Sequence, residues 1–214
     1  MHINNKFVLN SVAFVCLFFA GLAQAQPPTG PMSFFVTSMG SGNGGDLGGL
    51  EGADEICQNL AESVDQGHLT WRAYLSTQGP NAVNARDRIG PGPWFNANGY
   101  RVGADLESLH NLQHRVGPQT ALDERGRTIP GSFGVPNRHD TLTGSTPDGM
   151  AYPAGEDMTC NNWTSSSDSG GAKARVGHHD FAAWASAHNS QGCSQQALRN
   201  TGGDGLFYCF ALLE

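Results

Sequence analysis

The strongest constraint on the fold of this chain is a leader segment followed by four cysteines. Residues 1–25 combine a short basic start, an apolar stretch over residues 12–23 and a small-x-small site at Ala23-Gln24-Ala25. This combination predicts a secretory signal peptide cleaved before Gln26, because the apolar stretch is shorter than the roughly 20 residues that a bilayer span needs. We therefore expect a secreted or periplasmic protein with no transmembrane segment after signal cleavage. In such a compartment thiols oxidise to disulfides.

The cysteines that remain after the leader are Cys57, Cys160, Cys193 and Cys209. An even number in an exported protein predicts two disulfides, and the residues alone leave three pairings open. A bridge from Cys57 to Cys209 would tie the beginning of the domain to its end. In the chain-entropy model so long a loop stabilises by roughly 4–5 kcal/mol. Metal binding by the thiols is the competing interpretation, but the sequence contains no C-x-x-C pair.

The composition predicts one loop-rich globular domain. Glycine occupies 29 of 214 positions, and charged residues make up 14%, against a usual share of about 25%. The twelve Lys and Arg are outnumbered by nineteen Asp and Glu, and Lys173 is the one lysine after position 6. This charge pattern excludes the basic surface that nucleic-acid binding requires. We assign residues 1–25 to the signal peptide, 26–32 to a Pro/Gly spacer and 33–214 to the domain.

Hydrophobic patterning predicts secondary structure mainly in the first half of the domain and at its end. Alternating or aromatic runs indicate strands, helical spacing of apolar residues indicates helices, and Asn98-Gly99 is typical of a hairpin turn. The predictions are a strand at 34–38, a glycine-rich loop at 40–49, a helix at 50–64, a strand at 71–77, a hairpin at 94–102, a short helix at 105–110 and a strand at 205–213. Most of the segment between residues 131 and 204 is predicted to form turns.

Two short motifs match catalytic or cofactor sites without the context that those sites need. Residues 40–45 fit G-x-G-x-x-G, but no βαβ succession follows them. Residues 168–171 (DSGG) match a serine-protease nucleophile segment in a run rich in serine and glycine, where a chance match is the simpler explanation. The sequence therefore identifies no catalytic and no cofactor-binding residue.

Histidine and aspartate cluster in the loop-rich second half of the chain. In an exported protein such side chains can meet at a Zn²⁺ or Cu²⁺ ion. The candidate metal ligands, for Zn²⁺ or Ca²⁺, are His139, His178, His179 and His188. The alternative is that these histidines hydrogen-bond backbone carbonyls in irregular loops, which their irregular spacing explains equally well.

The same half of the chain concentrates polar residues in predicted turns, where sheets and helices do not consume their hydrogen-bonding groups. Loops on a rigid scaffold are where recognition usually occurs. We therefore predict a ligand surface within residues 131–188, with candidate contacts Asn137, Arg138, Asp140, Glu156, Asp157, Asn161 and Asp180. The alternative is that these groups satisfy the backbone of their own loops, as Asn and Asp often do.

Several segments together resemble a known family. They are Phe35-Val36-Thr37-Ser38, the run from Gly45 to Asp54 with Cys57, Thr143-Gly144-Ser145 with Asp148-Gly149, the run from Thr159 to Ser166, and Leu206-Phe207-Tyr208-Cys209-Phe210. Over residues 33–212 the chain resembles the bacterial endostatin-like, C-type-lectin-like secreted family that includes the leptospiral endostatin-like adhesins. The resemblance implies an α+β, C-type lectin-like (endostatin-like) fold: a small twisted antiparallel sheet, short helices, long loops and two disulfides. It also implies nested bridges, Cys57–Cys209 and Cys160–Cys193.

For function, the resemblance implies recognition of a glycan or of an extracellular, matrix or host protein. The calcium-dependent sugar motifs of C-type lectins are altered here, because Val135-Pro136-Asn137 lacks the acidic residue and Trp184-Ala185-Ser186 lacks Asn and Asp. Fewer oxygen ligands weaken a Ca²⁺ site. We therefore expect a binding module that does not use a calcium-dependent sugar site. The alternative is a Zn²⁺-dependent hydrolase that uses the loop histidines.

Overall fold

The structure is a computed structural model that describes residues 29–213, so the predicted signal peptide lies outside the described residues. The described chain is mixed α/β, with one main sheet, four helices and two disulfides. The strands are β1 (Phe34–Val36), β2 (Thr70–Ala73), β3 (Trp94–Phe95), β4 (Arg101–Gly103), β5 (Asp140–Leu142), β6 (Arg175–His178), β7 (His188–Asn189) and β8 (Gly203–Leu212). The helices are α1 (Gly49–Glu62), α2 (Leu106–Leu109), α3 (Cys160–Trp163) and α4 (Gln195–Thr201).

The main sheet is organised around β8. Its strand order is β1-β8-β5-β6-β7, and β2 also pairs with β8. The expectation of an antiparallel sheet is wrong at one place, because β5 runs parallel to β8. Parallel neighbours need a long crossover connection, and the chain between β5 and β8 supplies one that includes α3, β6, β7 and α4. The hairpin of β3 and β4 forms a separate two-stranded sheet.

Strand β8 is buried on both faces because its side chains alternate between two hydrophobic clusters. Leu206, Tyr208 and Phe210 enter one cluster, which also contains Trp94 and Trp184. The intervening residues of β8, Phe207, Cys209 and Ala211, enter the other, with Trp71, Trp163 and the inner face of α1. Side chains of a strand point to opposite faces with a period of two residues. The strand therefore links both halves of the core.

The two disulfides join Cys57 to Cys209 and Cys160 to Cys193, which confirms the nested pairing. The first bridge connects α1 to the central strand β8. The second joins the first residue of α3 to Cys193, which lies two residues before α4 begins. The bridges therefore anchor α1 to β8 and α3 to the segment that leads into α4.

The segment from residue 131 to 204, predicted to form mostly turns, contains three strands and two helices. Most of the segment lies in turns and irregular structure, as predicted. The sequence patterns miss β5, β6 and β7 because these strands are two to four residues long, and pairing through β5 to β8 stabilises them more than intrinsic propensity does. The predicted helices at 50–64 and 105–110 correspond to α1 and α2, and the predicted hairpin to β3 and β4. No helix within residues 29–213 has the length and apolarity to cross a membrane.

Candidate metal centre

The register of three strands brings three candidate side chains to one face of the sheet. Asp140 in β5 lies directly opposite His178 in β6. His188 in β7 lies opposite Val176, two residues before His178 on the same strand. Paired residues, and residues two apart on a strand, share a face. The sheet therefore directs the side chains of Asp140, His178 and His188 to the same side.

His139 joins this group because the chain is irregular where β5 begins. The β5–β8 register shifts between Asp140 and Thr141, and the His139 carbonyl accepts a hydrogen bond from the backbone N–H of His179 at 3.0 Å. Gly202 allows the imidazole to lie close to the start of β8, since a Cβ there would stand 3.0 Å from the His139 ring. The φ of Gly202 is also 108°, in the left-handed region that favours glycine.

The three imidazoles converge on one carboxylate oxygen. Asp140 Oδ1 lies 3.1 Å from His139 Nε2, 3.3 Å from His178 Nε2 and 3.4 Å from His188 Nε2. One donor atom from each of the four residues lies within 4.8 Å of all the others. In a tetrahedral zinc site with bonds of about 2.0–2.1 Å, neighbouring donor atoms are about 3.3–3.4 Å apart. The three distances are thus close to three of the six edges of a zinc tetrahedron.

These close contacts do not have hydrogen-bond geometry. Among the described residues, neither side-chain oxygen of Asp140 has a hydrogen-bond partner, and the same holds for His178 Nε2. The Asp140 side chain is only 3% exposed. A buried polar group without a partner costs about 1–3 kcal/mol, and more when it is charged. An arrangement that leaves several such groups facing a common point is the one expected of ligands to a cation.

Hydrogen bonds on the far side of two imidazoles orient their Nε2 atoms toward this point. His139 Nδ1 lies 3.3 Å from Asp180 Oδ1, and His188 Nδ1 lies 3.1 Å from the Asn189 carbonyl oxygen. An Nδ1–H that donates to these oxygens leaves the lone pair on Nε2. Asp180 is held in turn, because its Oδ2 accepts the backbone N–H of Ser132 at 2.7 Å.

Burial and neighbouring charges shift the pKa values in the cluster. Burial, together with the His139 and His188 charges, lowers the pKa of His178 to about 4, so this imidazole is neutral at pH 7. Burial raises the pKa of Asp140 to about 6, against the opposing effect of His188 and His139. Neutral histidine and ionised aspartate are the forms that bind metal. A divalent ion would be balanced in charge by Asp140 and Asp180.

His179 is the one predicted metal ligand that stands outside the four-residue group. Its side chain is buried at 1% exposure, and burial lowers the pKa of its imidazole. His179 lies in the turn that follows β6, beyond the strand register that aligns Asp140, His178 and His188. Asp140, which the sequence suggested only as a ligand-surface residue, is the fourth member instead.

Asn137 and Arg138, the two ligand-surface candidates just before the cluster, are engaged with their own surroundings. The Asn137 side-chain oxygen accepts the backbone N–H of His139 at 3.2 Å. The Arg138 guanidinium forms an ion pair with Asp204 at 3.0 Å. Both residues support the segment that carries His139.

The remaining ligand-surface candidates lie around α3, where they mostly satisfy the local backbone. Asp157 accepts the backbone N–H groups of Thr159 and Asn161 at 2.8 and 2.7 Å. Asn161 lies in a turn in which all four residues of α3 have φ between 48° and 67°, a left-handed conformation that is unfavourable for residues other than glycine. Glu156 is exposed and lies 4.0 Å from Lys173. The structure does not bring these three residues together with the histidines.

Sequence comparison adds no further assignment at this site. Neither the protein-family models nor the curated proteins with which the chain was compared gave a match. The interpretation of the site rests on its geometry.

Proposed function

We propose that this protein is an exported binding module whose recognition surface is organised by a divalent transition-metal ion, Zn²⁺ by preference. His139, His178 and His188 bind the ion through Nε2, and Asp140 binds it through Oδ1. The observation that carries the proposal is the approach of three imidazole nitrogens to one buried carboxylate oxygen at 3.1–3.4 Å without hydrogen-bond geometry. Hydrogen bonds that the Nδ1–H groups of His139 and His188 donate to Asp180 and to the Asn189 carbonyl hold these two imidazoles in place.

The donor set favours Zn²⁺ over Ca²⁺. Three imidazole nitrogens and one carboxylate oxygen are typical zinc ligands, whereas Ca²⁺ takes six to eight oxygen ligands. Imidazole also suits Cu²⁺, for which a tetragonal arrangement is preferred. The separations of 3.1–3.4 Å between Asp140 Oδ1 and the three nitrogens are close to the edges of a tetrahedron and favour the tetrahedral ion.

Binding fits the site better than hydrolysis does. A zinc hydrolase needs a general base within reach of the metal-bound water. Asp180, the second carboxylate at the centre, already contacts His139 Nδ1 and accepts the Ser132 N–H, and its side chain is 7% exposed. This carboxylate therefore orients a ligand rather than acting as a base.

The C-type lectin-like, endostatin-like fold remains part of this proposal, and so does a glycan or an extracellular, matrix or host protein as the partner. The nested pair of disulfides supports the fold, because it is the pairing that the resemblance implies. The two disulfides are also compatible with an oxidising compartment outside the cytoplasm.

Zinc titration of the purified protein against a chromophoric chelator tests the proposal. We expect one Zn²⁺ per chain in the wild type. His188→Ala, which removes the most exposed ligand, should weaken binding by more than the 10–100-fold typical for loss of a supporting residue. The matched control is His68→Ala, at an exposed histidine outside the cluster. Unchanged zinc affinity in His188→Ala, or no stoichiometric binding by the wild type, would overturn the proposal.

A further inference from the structure

The proposed metal centre has a buried floor and an open side. Asp140 forms the floor, since its side chain is 3% exposed and its Oδ1 is the atom that all three imidazole nitrogens approach. His188, at 40% exposure, is the most accessible ligand. An ion held among these four donor atoms would be accessible from solution on the side of His188. Zn²⁺ can expand from four to five ligands, so a ligand from solution can bind there.

An apolar cleft begins directly beside this centre. It has a volume of about 260 Å³ and is lined by Pro118, Ile129, Phe133 and Phe181, with Asp180 among its polar groups. The Phe181 ring belongs to both places, because its centroid lies 6.1 Å from that of His178 and 6.4 Å from that of His139. Phe181 therefore lines the cleft and also lies beside two of the proposed ligands.

Phe133 and Phe181 leave much of their apolar surface to solvent. Phe133 is 97% exposed and Phe181 is 49% exposed. Exposed aromatic residues that line a concave site are typical of ligand pockets, in which a few polar groups fix the orientation of a mostly apolar ligand. Here the ion would be the orienting group.

We propose that the site binds a small apolar carboxylate: the carboxylate occupies the free position on the ion, and an aromatic or branched aliphatic group fills the cleft beside Phe181. This inference rests on the proposed metal centre and names the chemical class of its ligand. The cleft is smaller than the roughly 300–1,000 Å³ of sites for drug-sized molecules. Its volume suits one side group rather than a whole larger ligand.

The charge at the centre is compatible with an anionic ligand. Asp140 and Asp180 neutralise a divalent ion, so an incoming carboxylate meets a site without net negative charge. The Arg138 guanidinium, next in the chain to His139, is paired with Asp204 and is 35% exposed. The carboxylate is therefore expected to bind through the ion rather than through an arginine.

The test uses the protein loaded with Co²⁺, whose visible spectrum changes when a fourth or fifth ligand is added or exchanged. Three probes separate the contribution of the carboxylate from that of the apolar group. The compound 3-phenylpropanoate carries a carboxylate and a phenyl group, acetate carries only the carboxylate, and 3-phenylpropan-1-ol carries only the phenyl group. We expect 3-phenylpropanoate to shift the spectrum and to bind at least tenfold more tightly than acetate. The alcohol should leave the Co²⁺ spectrum unchanged.

The variant Phe181→Ala should weaken 3-phenylpropanoate about tenfold while leaving acetate binding unchanged. Its matched control is Tyr100→Ala, at an aromatic residue that is 48% exposed and does not line the cleft. Metal affinity is measured in each variant, so that a lost ion is distinguished from a lost ligand. If Co²⁺ binds but 3-phenylpropanoate binds no better than acetate, this inference is wrong and the metal centre stands. If Co²⁺ does not bind to the wild type, both fail.

Discussion

Replacing Asp140 with asparagine should make the metal-free protein more stable and abolish metal binding. The side chain is buried, and neither of its oxygens has a hydrogen-bond partner within the described part of the chain. Asparagine has nearly the same shape without the charge, and its amide N–H can donate to a neutral imidazole nitrogen of His139, His178 or His188. Without an ion, the wild type retains an unfavourable charge that the variant lacks.

The size of the effect follows from the pKa of Asp140, which burial raises from 3.8 to about 6 in spite of His188 and His139. A pKa difference of this size between the folded and unfolded states lowers the free energy of unfolding by about 3 kcal/mol when the carboxyl is ionised, since one pKa unit is about 1.4 kcal/mol. Because the folded pKa lies above the unfolded one, the folded state holds the proton more tightly. The carboxylate therefore costs stability progressively as the pH rises from about 4 to 6, and the full cost applies above pH 6.

The lowered pKa of His178, about 4, acts in the opposite direction over the same pH range. Its imidazole must lose a proton on folding, so stability rises with pH there. For this reason the informative quantity is the difference in stability between variant and wild type, rather than the pH profile of either protein. That difference should grow between pH 4 and pH 6 and stay constant above it.

Thermal unfolding in the presence of a chelator measures this difference. At pH 7.5 a gain of about 3 kcal/mol corresponds to a Tm higher by about 6–12 °C for a domain of this size. Added Zn²⁺ should raise the Tm of the wild type but not that of the variant. A lower Tm for chelated Asp140→Asn would refute the reasoning, because it would show that the carboxylate forms stabilising contacts.

Asp123→Asn is the matched control. Asp123 is also a buried aspartate, at 5% side-chain exposure. Its oxygens accept the backbone N–H groups of Arg125 and Arg127 and the Arg127 guanidinium at 2.7–2.9 Å. Loss of the charge should therefore lower the Tm here, by an amount equivalent to about 1–3 kcal/mol.

Three further results are expected. Asp180→Asn should weaken zinc binding about 10–100-fold in a chelator titration, and it should also lower the Tm of the metal-free protein, because the Asp180 carboxylate accepts the backbone N–H of Ser132; unchanged affinity would mean that Asp180 does not orient a ligand. Gly202→Ala should weaken zinc binding by displacing His139, whereas Gly42→Ala, at another positive φ with open space around it, should cost stability alone; equal zinc affinities would contradict the close packing at Gly202. Acrylamide should quench tryptophan fluorescence poorly, since all four tryptophans are at most 2% exposed, and efficient quenching would contradict that burial.

The elements that the sequence predicted are those with a strong local pattern. The final strand has a continuous apolar run, as expected for β8 with both faces buried. The helix α1 shows helical spacing of its buried residues. Strands β5 to β7 have no comparable pattern, because β6 contains glycine and histidine and β7 has only two residues. Their pairing depends on neighbours far away in the chain, so local patterns do not predict it.

The sequence suggested the three histidines of the candidate metal centre, but it did not identify Asp140 as the fourth residue. Residue type suggested His139, His178 and His188 together with His179. Only the strand register shows that Asp140 faces His178, and that His188 lies on the same face. His179 lies in the turn after β6 and stands outside the group. The adjacent His139-Asp140 pair was a sequence signal for Asp140. Without the position of β5, however, the sequence does not show that this carboxylate faces the histidines.

The central position of β8 has a consequence for the order in which the chain can fold. Residues near the beginning of the domain, such as Phe34 in β1, have their strand partners in β8, at the end of the described chain. Long-range pairing of this kind slows folding, because a large loop must close before the contacts form. A chain that emerges from a ribosome or a translocation channel therefore carries its apolar β1 segment unpaired until β8 has followed. A holding chaperone that binds short aromatic segments would protect β1 from aggregation during that interval.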